Sequence, residues 1–263
     1  MKASVPIAGR LLSHLDSRLK GRAVLDLRVG PLYVAVRLSS GGIGLAHLLG
    51  QRGGPCRPLP GAGGLAGSPA QDMARWILSA DTAEASVGLA VLNAAAAEAG
   101  GMYEREEGDV RDLVRIRSCD KVAMVGHFAP LLPWIRDTGA RLDILELRPL
   151  PGTRPAEEAG AVLPQCNVAL ITATALANHT LEGLLELTES ARDVILLGPS
   201  TPMVPEIFVG TPVTLLAGVE VLDGVAMLNI VSEGGSTRQF GSAVRKVCAR
   251  VPDHRPTGPS YSC

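Results

Sequence analysis

Val194-Ile195-Leu196-Leu197-Gly198-Pro199-Ser200-Thr201-Pro202-Met203 is an aliphatic run that empties into a polar loop stiffened by two prolines. A short branched apolar segment bounded by Gly-Pro reads as a buried strand, and the hydroxyls after it read as the loop at its carboxyl end. Open α/β sheets bind ligands outside the carboxyl ends of their parallel strands, so this stretch sets both the fold class and the first place to look for a site.

Working outward, strand patterns recur at 121–125, 142–147, 167–172 and 213–221, with helical patterns at 130–138, 181–191 and 204–208. Strands separated by helices of about ten residues imply crossover connections, hence an α/β fold with a mostly parallel sheet and helices on both faces. A last helix is expected over 237–250, and residues 251–263 read as a flexible tail. Upstream, 11–19 has helical spacing, and 23–29 and 32–38 read as strands joined by Gly30-Pro31. The Gly- and Pro-rich segment 50–69 reads as a loop. It precedes helices at 69–78 and 81–98, the second capped by Ser79 or Asp81 and ended by Gly100-Gly101. The small residues of Ser86-Val87-Gly88-Leu89-Ala90-Val91-Leu92-Asn93-Ala94 suit close packing on a sheet. The charged stretch 101–108 reads as a linker, which divides the chain into an α+β unit, 1–105, and an α/β unit, 106–250.

The 263 residues are ample to bury a core, at 46% hydrophobic and 19% charged. With 25 basic and 26 acidic residues, the net charge of -1 gives no electrostatic footprint for nucleic acid or a membrane surface. The amino-terminal residues lack a signal-peptide apolar core, and the windows 86–97 and 168–177 fall short of the ~20 residues of a spanning helix. A cytoplasmic protein with a small-molecule partner is the expectation. The five cysteines show neither C-x-x-C nor zinc-finger spacing.

The strand ends carry the chemistry: Gly126-His127-Phe128, Glu146-Leu147-Arg148, Thr172-Ala173-Thr174 and Gly198-Pro199-Ser200-Thr201. In a doubly wound sheet they converge on one crevice. Glu146 lies about twenty residues beyond Gly126, the spacing at which an acidic side chain takes a ribose hydroxyl, yet 126–133 is no G-x-G-x-x-G. The His127 imidazole could ligate a transition metal or shuttle a proton, with Glu146 as oxygen partner, although two donors alone do not make a metal site. Ser200 and Thr201 fit either a helix N-cap or an anion pocket. No G-x-S-x-G marks a serine hydrolase. Asn178-His179-Thr180 reads as a helix entrance, Glu233-Gly234-Gly235 as a turn, and Gly41-Gly42-Ile43-Gly44 as a hairpin or ligand-facing turn without the Gly-Lys-Ser/Thr ending of a phosphate loop.

Val125-Gly126-His127-Phe128, Leu145-Glu146, Ile171-Thr172-Ala173-Thr174-Ala175-Leu176-Ala177-Asn178-His179-Thr180, 197–203 and Leu216-Ala217-Gly218 together resemble a bacterial and archaeal family named for heavy-metal chelation. Residues 86–94 resemble the small-residue helix of the domain that precedes it. The resemblance implies an enolase-N-terminal-like α+β domain followed by a Rossmann-like domain, with a ligand site between them. It carries site roles onto His127, Glu146, Thr172, Asn178, Ser200 and Thr201, with Gly126, Phe128, Thr174 and Gly198 around them. His179 stands where a small residue such as glycine is expected. Three readings stay open: a binder of a small polar ligand, a heavy metal or metal chelate included, with His127 and Glu146 as ligating or acid-base groups; an enzyme using a nucleotide or an S-adenosylmethionine-like compound; and a binding protein without turnover. The resident cofactor is open, with a divalent transition metal as the candidate, and the apolar helices suggest a homodimer.

Overall fold

Two sheets carry the chain in the computed structural model, which describes residues 5–49, 58–98, 105–148 and 150–252. Most of the expected linker (101–104), the first part of the breaker-rich loop (50–57) and the tail from 253 onward lie outside the described residues.

The amino-terminal part contains α1 (Ile7–Leu19), β1 (Val24–Val29), β2 (Tyr33–Leu38), β3 (Ile43–His47), α2 (Ala70–Ala74) and α3 (Thr82–Ala97). The strands form an antiparallel sheet in the order β1-β2-β3, and Gly30-Pro31 does turn the chain between β1 and β2. The 41–44 glycines make the next hairpin and lead directly into β3. They have a packing role: a Cβ at Gly44 would stand 2.2 Å from both Ala90 O and Ala94 N, and one at Gly42 2.3 Å from Ala94 O. Bare backbone is what lets β3 lie on α3.

Helix α3 starts where the sequence places it. The Asp81 side chain accepts hydrogen bonds from Ala83 N (2.8 Å) and Glu84 N (3.3 Å). Every residue from 85 to 96 is buried, so the helix has no solvent face. Its small side chains answer that constraint, and Gly88 gives way to the 75–78 turn, where a Cβ would meet Ile77 N at 2.1 Å. The two polar side chains in this stretch are bonded: Ser86 Oγ donates to Thr82 O, and Asn93 Nδ2 donates to Leu45 O (2.8 Å) and Ser200 O (3.0 Å).

The second sheet is built from β4 (Glu106–Glu107), β5 (Lys121–Val125), β6 (Arg141–Glu146), β7 (Arg154–Pro155), β8 (Val168–Thr172), β9 (Asp193–Leu197), β10 (Leu215–Val221) and β11 (Val244–Arg250). Its order is β4-β11-β10-β9-β8-β5-β6-β7. The strands β7, β6, β5, β8, β9 and β10 are parallel, and counted along the chain they stand in the order 3-2-1-4-5-6. The sheet is covered by α4 (Val110–Leu113), α5 (Leu132–Asp137), α6 (Ala159–Val162), α7 (Leu181–Glu186) and α8 (Gly224–Ser232). Alternate strand residues divide between two cores. Ala123, Leu145, Ile171, Val194, Leu196 and Leu216 join a cluster with α1 and α3, whereas Met124, Ile144, Leu170, Ile195 and Leu215 pack with Val110 and Ile135 of α4 and α5. Both faces of the parallel sheet are therefore covered, as expected.

The helix expected over 237–250 is not there. Residues 241–243 make a single 3-10 turn and 244–250 form β11, antiparallel to β10 from Leu215↔Arg250 to Val221↔Val244. Without this partner the outer edge of β10 would leave a row of unpaired backbone groups, and that tertiary pairing outweighs local propensity. Helix α8, which the sequence reading did not separate, ends at the Glu233-Gly234-Gly235 turn, with Gly234 at φ 80°. His179 takes φ 58°, the left-handed region, which explains why a glycine is expected there, and its Nε2 lies 2.7 Å from Ser79 O.

Asp109 ties the edge strands to α4. It accepts from Arg111 N, Arg111 Nε and Lys246 Nζ of β11. Burial alone would push its carboxyl up, but the bonds from Arg111 and Lys246 override that and hold its pKa at about 2.

Two outcomes follow. Gly44→Ala forces β3 off α3 and should cost about 3 kcal/mol in denaturant unfolding, while Gly183→Ala in α7, which meets nothing within 4 Å and has an ordinary φ, should cost nothing. Asp109→Asn should lower stability at neutral pH. Because the folded-state pKa is depressed, the wild-type advantage is present above about 3.8 and should vanish as pH falls through about 2, read as converging thermal midpoints.

Candidate functional site

The carboxyl ends of β5, β6, β8 and β9 open into a crevice of about 1920 Å³, walled on other sides by the ends of β2 and β3 and by β10 and β11. Gly126, His127, Phe128, Glu146, Thr172, Thr174, Asn178, Gly198 and Ser200 all line it. Convergence of the strand ends, read from pattern alone, is what the fold produces.

The backbone turns sharply out of two strands, at Gly126 (φ 90°) and Gly198 (φ 111°). The Phe128 ring lies over both turns: a Cβ at either glycine would stand 3.6 Å from it, on Cε2 at Gly126 and on Cε1 at Gly198. A Cβ at Gly126 would also meet Thr172 Cβ at 3.1 Å, so β5 and β8 end in close contact. Thr172 and Thr174 share a hydrogen bond between their hydroxyls (3.0 Å), and Thr174 N donates to Thr172 Oγ1. Asn178 Oδ1 accepts from Thr180 N and Thr180 Oγ1, shaping the entrance to α7.

His127 is exposed on the turn after β5, and its ring has no hydrogen-bond partner among the described residues. Val125 pairs with Leu145, and Gly126 N donates to Leu145 O (2.9 Å), so this turn sits beside Glu146. Glu146 Oε1 accepts from Leu147 N (2.7 Å) and more weakly from Arg148 N (3.4 Å). Those bonds hold the carboxylate at the strand end.

The hydroxyls of the Gly-Pro-Ser-Thr-Pro loop have structural partners. Ser200, 2% exposed, accepts from His47 N at 2.8 Å. Thr201 donates to Ala217 O at 3.1 Å and lines a separate small cavity beneath the loop, outside the main crevice. Neither caps a helix: the 205–208 turn that follows has no side-chain cap.

The sequence reading missed His47 and Tyr33, and it named Arg148 at a strand end without giving it a role. His47 ends β3 and enters the crevice from the first sheet. Burial pushes its pKa down, the Arg148 charge pushes it further down, and Glu146 pulls it back; all three residues line the same crevice. The Tyr33 ring meets the imidazole edge-on, with centroids 5.2 Å apart, and burial pushes the Tyr33 phenol up to about 12. The Arg148 guanidinium is exposed and has no ion pair among the described residues. The one signal in Ile43-Gly44-Leu45-Ala46-His47 is an alternation of large and small side chains, which the surrounding glycines mask.

Among the described residues, no group of three His, Cys, Asp or Glu side chains is placed to hold a metal ion. His127 and Glu146 therefore supply two donors where a transition metal takes four or more.

Comparison with known proteins places this geometry in a lineage. A family model described as "Putative heavy-metal chelation" matches residues 12–96, and a second with the same description, DUF364, matches 109–250. An uncharacterized protein of Methanocaldococcus jannaschii is 27% identical over 179 residues, 66% of this chain and 68% of that protein. The crystal structure of a DUF364-family protein of unknown function from Desulfitobacterium hafniense superposes with a TM-score of 0.76 at 28% identity, covering 91% of this chain and 98% of that one. Another, from Pyrococcus horikoshii, shares the fold with a TM-score of 0.80 at 21% identity, covering 93% of this chain and 100% of that one. With its model spanning more than half of the chain, DUF364 is the family to which the protein belongs.

Proposed function

We propose that the crevice binds a small anionic ligand, and that a metal ion enters it inside a chelate that brings its own donors. The carrying observation is that His47 from one sheet and Glu146 and Arg148 from the other line one crevice, the Arg148 guanidinium having no ion pair among the described residues. A guanidinium without a carboxylate partner at a crevice mouth suits a carboxylate or phosphate. His127 and Glu146 do not complete a shell for a bare ion, but each can contact a guest that arrives partly coordinated. The family description supports a chelate as the guest. The same reading treats residues 1–105 and 106–250 as two units with the site between them, a division in keeping with the separate spans of the two family models.

One observation favours a nucleoside-bearing ligand as the second reading. The 3-2-1-4-5-6 strand order and an acid at the end of the second parallel strand are the arrangement in which Rossmann-like sheets bind a ribose. Against a pyrophosphate stands the Phe128 ring over the strand-end glycines. An S-adenosylmethionine-like compound carries no pyrophosphate.

Thermal shift of freshly purified protein separates the readings. A zinc–citrate complex should raise the midpoint more than zinc ion alone, and the rise should be lost in Arg148→Ala; a ligand at a hundred times its Kd contributes about 2.7 kcal/mol. A rise with free zinc that disappears in His127→Ala would restore direct metal ligation. Stabilisation by adenosine compounds that disappears in Glu146→Ala would establish the nucleoside reading instead. Native mass spectrometry should show the retained guest directly.

A further inference from the structure

His47 is held unusually firmly for a side chain that opens onto a crevice. Its backbone N–H is bonded to Ser200 Oγ, its ring packs edge-on against Tyr33, and Tyr33 in turn packs edge-on against Phe240 with centroids 5.1 Å apart. The two ring nitrogens are not equivalent. Nδ1 is buried without a hydrogen-bond partner, whereas Nε2, also unpartnered among the described residues, is not among the buried atoms. With the residue lining the crevice, Nε2 is the nitrogen left open to a guest.

This asymmetry decides what the imidazole offers. A neutral imidazole carries one N–H and one lone pair, and an imidazolium carries two N–H groups. A proton on Nδ1 would bury a donor with nothing to accept it, and orphaned buried N–H groups are rarer in folded proteins than under-used acceptors. The alternative buries only a lone pair. Of the charged groups facing the ring, the Glu146 carboxylate favours an N–H toward the crevice and the Arg148 guanidinium favours a lone pair there. The buried nitrogen breaks the tie.

We infer that His47 is a ligand-contacting residue that presents a neutral Nε2–H to the crevice that the Arg148 guanidinium also lines, the two donating to separate oxygens of one anionic guest. The inference rests on the crevice reading above and sharpens it. A guanidinium supplies charge and a fixed fork of donors, and the imidazole adds a single directional donor without a second positive charge. The pair fits a carboxylate or a phosphate. It leaves His127, on the turn after β5, as the second imidazole that lines the crevice.

Histidine nitrogen NMR of the full chain labelled at its imidazoles tests this in two steps. In the ligand-free protein at neutral pH, the His47 signals, assigned by their loss in His47→Phe, should show the Nε2–H tautomer; the Nδ1–H tautomer or an imidazolium would overturn the inference and leave the crevice reading standing. Inorganic phosphate and citrate are then titrated separately, and the anion that shifts His47 Nε2 identifies the class of oxygen taken. His47→Phe, which keeps a ring against Tyr33, should weaken that binding roughly tenfold or more, and His47→Gln, whose amide N–H can stand in for Nε2–H, should restore most of it. Shifts at His127 with His47 unmoved, or equal affinity in His47→Phe, would overturn the donor pair alone. No response at either histidine to either anion would overturn the anion-binding crevice with it.

Discussion

The geometry of the crevice depends on one buried amide. Asn93, on a helix that touches no solvent over a dozen residues, donates to Leu45 O of β3 and to Ser200 O of the loop after β9. Ser200 in turn accepts from His47 N, and the neighbouring Thr201 reaches back to Ala217 O in β10. Two sheets with separate strand orders are thereby fixed to each other at the wall of the crevice. Loss of such an amide would leave two buried carbonyls without a donor, each costing roughly 1–3 kcal/mol. The polar residues in this apolar setting act as specifiers of position.

That tie also changes the meaning of the Gly-Pro-Ser-Thr-Pro loop. From sequence its hydroxyls look like ligands for an anion. In the fold they join β3 and β10 to the loop, and a charge without an ion pair among the described residues lies elsewhere on the crevice, on Arg148 at the end of β6, which β8 and β5 separate from β9. The crevice is wide, and its polar groups are spread along the rim rather than gathered to a point. Such a surface recognises a guest by several separate contacts, in contrast to the tight shell that a bare ion demands.

What the sequence made legible was what period and punctuation govern. The core strands β5, β6, β8 and β9 are aliphatic runs bounded by breakers, and the Asp81 cap is a local signal, so both were readable. The errors have a common cause in tertiary structure. Residues 244–250 carry charges that leave a helix plausible, and only the free edge of β10 makes them a strand. Ile43–His47 follows so many glycines that it reads as turn until α3 is seen lying on it. With β3 unseen, His47 had no element to place it, and the residue from the other sheet was invisible. Ser200 and Thr201 were legible as a place, but their bonds to His47 N and Ala217 O were not, because hydrogen bonds to distant backbone groups leave no trace in spacing.

The enclosed helix α3 has a consequence for how the protein is made. It carries no polar stripe, and the partner of its central amide, Ser200, lies 107 positions further along the chain. On a ribosome adding roughly 5–20 residues per second, the helix emerges on the order of 5–20 seconds before the loop that receives it exists. During that interval α3 can already pack on β2, β3, α1 and α2, which precede it, but the side that meets the second sheet has no cover. Synthesis of the second sheet therefore closes the last apolar face of the first unit, and a pause in translation between them would lengthen the period in which the chain most needs a chaperone.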